Sequence, residues 1–95
     1  MITGKNYIGG ELSSNSSVSF KTFNPILNIE NNITFFEASD IEIEKSTKLA
    51  NDAFKIFKQV SSLDRSKFLN QISDELELIT DDIVNVYCSE TGLPE

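Results

Sequence analysis

The spacing of apolar residues divides this chain into two parts that meet at Ser39. Before Ser39, apolar residues stand in short runs or alternate with polar ones, as Val18 and Phe20 do, and this pattern predicts strands. After Ser39, they recur every three or four residues, which is the spacing of an amphipathic helix. The pattern predicts an α+β fold, with a β segment over residues 1–38 followed by an antiparallel pair of long amphipathic helices over residues 39–95.

The β segment is predicted to open with a hairpin over residues 7–12. Its centre, Gly9-Gly10, can adopt the positive φ angles that a two-residue hairpin turn requires. The next strand should stop at Pro25, because proline has no N–H to donate and biases the residue before it away from helix. Residues 33–38 are rich in β-branched and aromatic side chains and predict a further strand. The connection between these two strands is predicted to be a loop that passes through Asn28, Asn31 and Asn32.

The first helix is predicted to begin at a capping box, Ser39-Asp40-Ile41-Glu42, in which the Ser39 hydroxyl and the Glu42 carboxylate each accept a hydrogen bond from the other residue's N–H. Its apolar side covers roughly 160°, wider than the ~100° stripe of a simple surface helix. Two helices that face only each other need less, so we expect an exposed apolar surface when this chain is alone. The residues on that side are Ile43, Leu49, Ala50, Ala53, Phe54, Ile56, Phe57 and Val60.

The second helix is predicted to start at Ser61, whose hydroxyl can cap the N–H of Asp64. Thr80 is a second candidate N-cap, so we expect this helix to kink or restart there. Gly92 fits the position just after a helix end, and Pro94 prevents continuation. The apolar residues of this helix share one side: Phe68, Leu69, Ile72, Leu76, Ile79, Ile83, Val86 and Tyr87.

Charge and composition limit the classes of partner. The 95 residues include 15 acidic and 8 basic side chains, a net charge of −7, which disfavours nucleic acid and anionic membrane because both need a basic surface. No apolar run approaches the ~18 residues of a membrane-spanning helix, and the N-terminus lacks the apolar stretch of a secretory signal. We therefore expect a cytoplasmic protein that binds neither nucleic acid nor membrane.

The reactive side chains are few. The chain has no histidine and one cysteine, which excludes imidazole bases, imidazole metal ligands and an internal disulfide. Cys88 lies near a predicted helix end, where the helix dipole disfavours a thiolate, so we interpret it as a passive thiol. The acidic residues near Ser39 lack the spacing of a calcium loop, and Gly9-Gly10 lacks the strand-to-helix context of a phosphate-binding turn. We predict no catalytic, cofactor-binding or metal-binding residue in this chain.

Five short tracts, in the same order and with similar gaps, resemble the N-terminal part of the aldehyde dehydrogenase family. They are Tyr7-Ile8-Gly9-Gly10-Glu11, then Thr22-Phe23-Asn24-Pro25, then Ala50 and Ala53-Phe54 with Leu63 and Arg65, then Phe68-Leu69 with Ile72, Asp74 and Glu75, and finally Glu90-Thr91-Gly92 with Pro94. The opening tract and Glu90-Thr91-Gly92-Leu93-Pro94 look most like the bacterial branch that acts on 2,5-dioxopentanoate, also called α-ketoglutarate semialdehyde. One departure is the absence of glycine after Asn24-Pro25, which leaves the shape of that turn open.

The resemblance implies a fragment of the nucleotide-binding domain of an NAD(P)-dependent enzyme that oxidises an aldehyde to a carboxylic acid. In the family a cysteine thiolate attacks the aldehyde, hydride passes to the nicotinamide, and a glutamate activates water. The motifs that carry those residues lie beyond residue 95, and neither Cys88 nor any glutamate here matches them. The implied partner is the remainder of an aldehyde dehydrogenase chain, with a homo-oligomeric parent enzyme that binds NAD or NADP.

A second interpretation from a different class is open at this point. The chain could be a noncatalytic, acidic interaction module in which a helical hairpin covers a sheet and binds a partner through one helix face. Such a module would bury its own apolar residues, whereas a fragment of an enzyme would leave them exposed. The aldehyde substrate and the choice between NAD and NADP stay open under the first interpretation.

Overall fold

The computed structural model describes residues 2–95. Within them lie four strands and three helices: β1 (Asn6–Ile8), β2 (Glu11–Ser13), β3 (Ser19–Asn24), β4 (Ile29–Phe36), α1 (Asp40–Phe57), α2 (Ser62–Leu78) and α3 (Thr80–Thr91). The strands form two separate antiparallel pairs, β1 with β2 and β3 with β4. The predicted α+β class is confirmed, although the helical half is divided into three helices rather than two.

The first hairpin confirms the prediction for residues 7–12. Ile8 faces Glu11 across the turn, and Gly9 and Gly10 have φ angles of 61° and 81°. Two successive positive φ angles define the turn whose twist matches the flanking strands. The sequence pattern and the turn chemistry therefore agree here.

The predicted loop between the next two strands is wrong over most of its length. Asn28 ends the turn, and β4 begins at Ile29, so Asn31 and Asn32 lie within a strand. The turn closes early because the Asn24 side chain accepts hydrogen bonds from the N–H groups of Ile26 and Leu27, at 3.0 and 3.1 Å. Asparagine tolerates the left-handed conformation, and Asn28, with φ of 56°, adopts it in a turn that lacks glycine.

The start of α1 confirms the predicted capping box. The Glu42 N–H donates to the Ser39 hydroxyl at 3.2 Å, and the Ser39 N–H donates to Glu42 Oε1 at 3.0 Å. Both hydrogen bonds satisfy N–H groups that a helix N-terminus would otherwise leave without a partner. Ser61 caps α2 through a hydrogen bond from the Asp64 N–H at 3.1 Å, also as predicted.

The second predicted helix restarts near Thr80, but Thr80 is not its cap. Ile79 separates α2 from α3, with φ of −113° and ψ of 20°, and no side chain caps α3. The Thr80 hydroxyl instead donates backward to the Glu77 carbonyl at 2.9 Å. This backward bond is available to threonine in a helix and competes with capping. The end of α3 is as predicted, since Gly92 is left-handed with φ of 71°.

The helices are attached to the strands at two places. α1 packs against β1 and α3 packs against β3. The Asn31 amide ties the second attachment, since it donates to the Thr22 hydroxyl at 3.0 Å and to the Ser89 carbonyl at 3.3 Å. Gly92 lies so close to the β3–β4 turn that an added Cβ would be 2.9 Å from Pro25 Cγ.

Candidate docking surface

The described chain exposes far more surface than a finished domain. Its accessible area is 7626 Å², whereas a compact protein of this mass exposes about 5,500 Å². Its radius of gyration is 16.9 Å, against about 12 Å for a compact domain of this length. Roughly 2,000 Å² of surface is therefore exposed that a compact fold of this size would cover.

The excess surface is apolar because the residues that should form a core are exposed. Ile8, at 6% exposure, is the single buried apolar residue among those described. On α1, the side chains of the predicted apolar side are exposed, with Phe54 at 61%. Leu49 packs against the β1–β2 turn, since a Cβ added to Gly9 would lie 2.6 Å from Cδ1 of Leu49. One turn of α1 thus packs on the hairpin and the rest of its broad apolar side has no cover.

The turn between α1 and α2 is held by aromatic contacts. The rings of Phe57 and Phe68 meet edge to face with centroids 5.6 Å apart. The Arg65 guanidinium lies 5.5 Å from the Phe57 ring centroid, and the Lys58 ammonium lies 5.8 Å from that of Phe54. Such edge-to-face and cation–π contacts contribute about 0.5–1.5 kcal/mol each. They fix the turn without burying the helix faces on either side of it.

An apolar groove runs between β1 and α2, and we call it the α2 groove. It is open to solvent, has a volume of about 510 Å³, and is lined by Tyr7, Phe68, Ile72, Leu76 and Ile79, with Gln71 and Glu75 also lining it. Tyr7 is 77% exposed and forms the wall opposite α2. All residues of α2 are exposed, so this helix contributes its apolar side to the groove rather than to a core.

A second apolar recess lies on the β3–β4 side. The rings of Phe20 and Phe35 are stacked with centroids 5.6 Å apart, and with Ile79 and Ile83 they line an open cavity of about 410 Å³. This recess and the α2 groove share Tyr7 of β1 and Ile79, the residue at which the helix restarts. The two apolar surfaces are therefore adjacent along the α2–α3 junction.

Glu42 is the buried charge of the described residues, at 2% exposure. Its Oε1 accepts the Ser39 N–H, while Oε2 is buried without a hydrogen bond of regular geometry. The nearby Ser13 hydroxyl, followed by the Ser39 backbone, lowers the pKa of the Glu42 carboxyl below its ordinary 4.5, and desolvation opposes them in part. Glu42 therefore stays ionised at neutral pH and links the β2 end to the start of α1.

The other candidate reactive groups do not come together. Cys88 is half-buried in α3, with its carbonyl accepting the Gly92 N–H at 2.9 Å. Over residues 2–95, no group of three acidic or cysteine side chains could hold a metal ion. None of the helices described is long and apolar enough to cross a membrane.

The glycine pair does not fit a nucleotide. Gly9-Gly10 joins two strands, β1 and β2, whereas a dinucleotide site places glycines between a strand and a helix whose N-terminus faces the pyrophosphate. An added Cβ on Gly9 would meet Leu49, so the space beside this turn is filled by α1 rather than open to a ligand. The described residues therefore do not fit NAD or NADP at this turn.

Sequence reasoning missed the role of Asn31. The Asn31 amide donates to Thr22 in β3 and to the carbonyl of Ser89 in α3, which is 58 residues away from Asn31 in the chain. The sequence pattern instead predicts a loop at Asn31. A usable signal was the alternation of Ile29, Asn31 and Ile33, which in a regular strand places all three on one side. Asparagine on an otherwise apolar side of a strand indicates a polar partner from another element.

One structural feature dominates this geometry: the described chain leaves large apolar surfaces of its helices exposed. The family model "Aldehyde dehydrogenase family" matches residues 12–95. The chain therefore belongs to the aldehyde dehydrogenase family.

Two relatives illustrate the similarity. The chain is 30% identical over 94 residues to "Alpha-ketoglutaric semialdehyde dehydrogenase 2" of Azospirillum brasilense. The aligned region covers 98% of this chain and 18% of that protein. It is 31% identical over 91 residues to "Putative aldehyde dehydrogenase" of Staphylococcus aureus (strain USA300). Here the aligned region covers 95% of this chain and 19% of that protein. The chain thus spans about a fifth of the length of the curated relatives it matches. No solved structure matches the chain.

Proposed function

We propose that this chain is the N-terminal scaffold of an NAD(P)-dependent aldehyde dehydrogenase that oxidises an aldehyde to a carboxylic acid in the cytoplasm. In this proposal residues 1–38 form the β segment and residues 39–95 the antiparallel helix pair of one incomplete domain. The remainder of the enzyme covers the exposed apolar surfaces and carries the catalytic and nucleotide-binding residues. The parent enzyme is homo-oligomeric, and the chain alone is not catalytic.

One observation carries the scaffold role: roughly 2,000 Å² more surface is exposed than a compact protein of this size would leave. A self-sufficient domain places its large apolar side chains in a core, whereas here a single apolar residue, Ile8, is buried among those described. The membership in the aldehyde dehydrogenase family and the fifth of a relative's length that is covered both support a scaffold that works with further polypeptide.

The substrate is proposed at a finer level from the relatives. The similarity to an α-ketoglutaric semialdehyde dehydrogenase of A. brasilense supports a dicarboxylic semialdehyde as the substrate. In this proposal, substrate selection belongs to the rest of the enzyme. The cofactor accepts the hydride, and the residues that bind the cofactor are likewise assigned to the rest of the enzyme.

Aldehyde-dependent reduction of NAD⁺ and NADP⁺ tests the proposal. The assay compares the 95-residue chain with the same chain extended to the end of its reading frame, each with α-ketoglutarate semialdehyde and with a simple aliphatic aldehyde. We expect activity in the extended protein and none in the 95-residue chain. Activity with the semialdehyde far above that with the aliphatic aldehyde would support the finer substrate assignment.

The outcome that contradicts the proposal is an extended protein that is folded and still inactive with both aldehydes and both cofactors. Circular dichroism of the extended protein distinguishes that result from a failure to fold. Activity in the 95-residue chain alone would contradict the scaffold role instead. The interaction module, our second interpretation, is less well supported because such a module would bury its own core.

A further inference from the structure

The helical side of the α2 groove is regularly spaced. Phe68, Ile72, Leu76 and the C-cap residue Ile79 line it at intervals of four, four and three residues. This spacing places their side chains in one ridge along the helix, which we call the α2 ridge and which is the form in which helices interdigitate when they pack. Tyr7 forms the opposite wall, so a helix that lies on the α2 ridge also contacts β1.

The end of the described chain turns back toward this groove. Gly92 ends α3 in the left-handed conformation, and Glu95 then lines an open cavity together with Asp81, a residue of the first turn of α3. The last residues of the chain thus run back beside α3 rather than away from it. Asp81 lies two residues beyond Ile79, the last member of the α2 ridge. Polypeptide that follows Glu95 therefore starts close to one end of the α2 groove.

The length of the α2 ridge sets the length of a segment that covers it. The ridge spans residues 68–79, which at about 1.5 Å per residue is roughly 16 Å. A covering helix of that length has about 11 residues, and connections between packed helices take about 2–8 residues. The first ~20 residues after Glu95 are therefore sufficient to reach the groove and to cover the α2 ridge.

Attachment to the same chain favours this segment over a separate molecule. A segment joined by a short flexible connection is present at an effective concentration on the order of millimolar. A second copy, with a net charge of −7, approaches this chain against like-charge repulsion. We therefore assign the α2 groove to polypeptide that follows Glu95 and not to a second copy.

Charge specifies the polar edge of the covering segment. Residues 68–95 contain no lysine or arginine, while Glu75 lines the groove and Asp81 lies beyond its end. The acidic side chains here are thus not balanced by basic ones from α2 or α3. A covering helix is complementary when its apolar stripe faces Ile72 and a lysine or arginine beside that stripe faces Glu75.

We propose that the ~20 residues directly following Glu95 form an amphipathic helix that lies in the α2 groove. This inference rests on the proposed function in one respect, since the segment belongs to the remainder of the enzyme. The helix presents apolar residues at intervals of three and four to the α2 ridge, and a basic residue to Glu75. It packs between α2 and Tyr7 and removes both from solvent.

Site-specific photocrosslinking in the protein extended to the end of its reading frame tests this contact. The photoreactive amino acid p-benzoylphenylalanine replaces Ile72 in the α2 ridge. In the matched control it replaces Leu78, which is on α2 outside the groove and 79% exposed. Peptide mass spectrometry after irradiation locates the adducts. We expect those from Ile72 within the first ~20 residues after Glu95, at a yield roughly tenfold above that from Leu78 to the same segment.

Tyr7 provides a second crosslinking position on the opposite wall, where one aromatic ring replaces another, in case the change at Ile72 disturbs folding. Adducts from these two positions to a second copy, to a later part of the chain or to no polypeptide would overturn the proposal. A following segment without apolar residues at helical spacing would overturn it as well. Aldehyde oxidation is measured separately: an active extended protein with its adducts elsewhere would contradict this inference and leave the proposed function standing.

Discussion

The N-termini of α1 and α2 have the same kind of serine cap but differ in how far they are buried against other elements. In both, a serine hydroxyl accepts a hydrogen bond from the N–H three residues later, at 3.2 Å for Ser39 and 3.1 Å for Ser61. At α1, Glu42 completes the box and is buried against the end of β2. At α2 no residue is buried. Capping thus determines where a helix starts, and burial depends on which other elements are present to cover it.

The largest effect should come from Ile8, the one apolar residue that is buried among residues 2–95. Ile8→Ala removes most of the side chain at 6% exposure, and large-to-small changes in a core cost about 2–5 kcal/mol. We expect a loss at the low end, about 2 kcal/mol, because a core this small can relax around the deletion. Urea unfolding followed by circular dichroism measures it.

The matched control for that change is Leu78→Ala on α2. Leu78 is among the most exposed large apolar residues described, and surface substitutions usually change stability by less than about 0.5 kcal/mol. Similar losses in Ile8→Ala and Leu78→Ala would contradict the view that the hairpin end of α1 is packed and α2 is not.

The caps offer a smaller and more direct comparison. Ser39→Ala and Ser61→Ala each remove the side-chain oxygen of an N-cap, which costs about 1 kcal/mol. We expect Ser39→Ala to cost more, because the Ser39 hydroxyl also helps to lower the pKa of the Glu42 carboxyl, which links α1 to the end of β2. Unfolding free energies from urea titration give both values. A larger loss in Ser61→Ala would show that α2 has packing that the structure lacks.

The pH dependence of stability should differ between changes at the N-terminus of α1 and changes on α2. The pKa of Glu42 is lowered in the folded chain, so as pH falls the unfolded chain takes up the proton first. The stabilisation from Glu42 is therefore complete above its ordinary pKa of 4.5 and is lost as pH falls through the lower, folded value. Replacing Glu42 by Gln should remove this contribution.

The measurement compares thermal unfolding of the unmodified chain and Glu42→Gln from neutral to acidic pH. The difference between them should be largest at neutral pH and should narrow below pH 4.5. Leu78→Ala on α2 serves as the control, because it changes no titratable group. A gap for Glu42→Gln that stays constant with pH would contradict the lowered pKa of the Glu42 carboxyl in the folded chain.

The smallest effect is expected at the junction of α2 and α3. Thr80→Ala removes a hydroxyl that donates to the Glu77 carbonyl and caps no N–H group. We expect a change within about 0.5 kcal/mol. A loss near 1 kcal/mol in urea unfolding would restore Thr80 as the N-cap that its sequence position first indicated.

Local rules in the sequence predicted most of the boundaries correctly. Gly9-Gly10 forms the hairpin turn, Ser39 and Ser61 cap their helices, and Gly92 ends α3. Each of these depends on groups within a few residues, so the sequence is sufficient to identify it. The predictions failed at Asn31, whose side chain donates a hydrogen bond to the distant Ser89 carbonyl, and at Thr80, whose hydroxyl donates to the Glu77 carbonyl in the preceding turn.

The sequence by itself determined the family, the order of elements and the apolar sides of the helices, because motif spacing and periodicity are properties of the chain alone. Only the tertiary structure decided which of those sides find a partner: Leu49 meets the hairpin and Ile83 borders the Phe20–Phe35 stack. It also decided that the apolar side of α2 meets none of the other described elements closely enough to be buried. The physical reason is that burial requires two surfaces, and periodicity describes one.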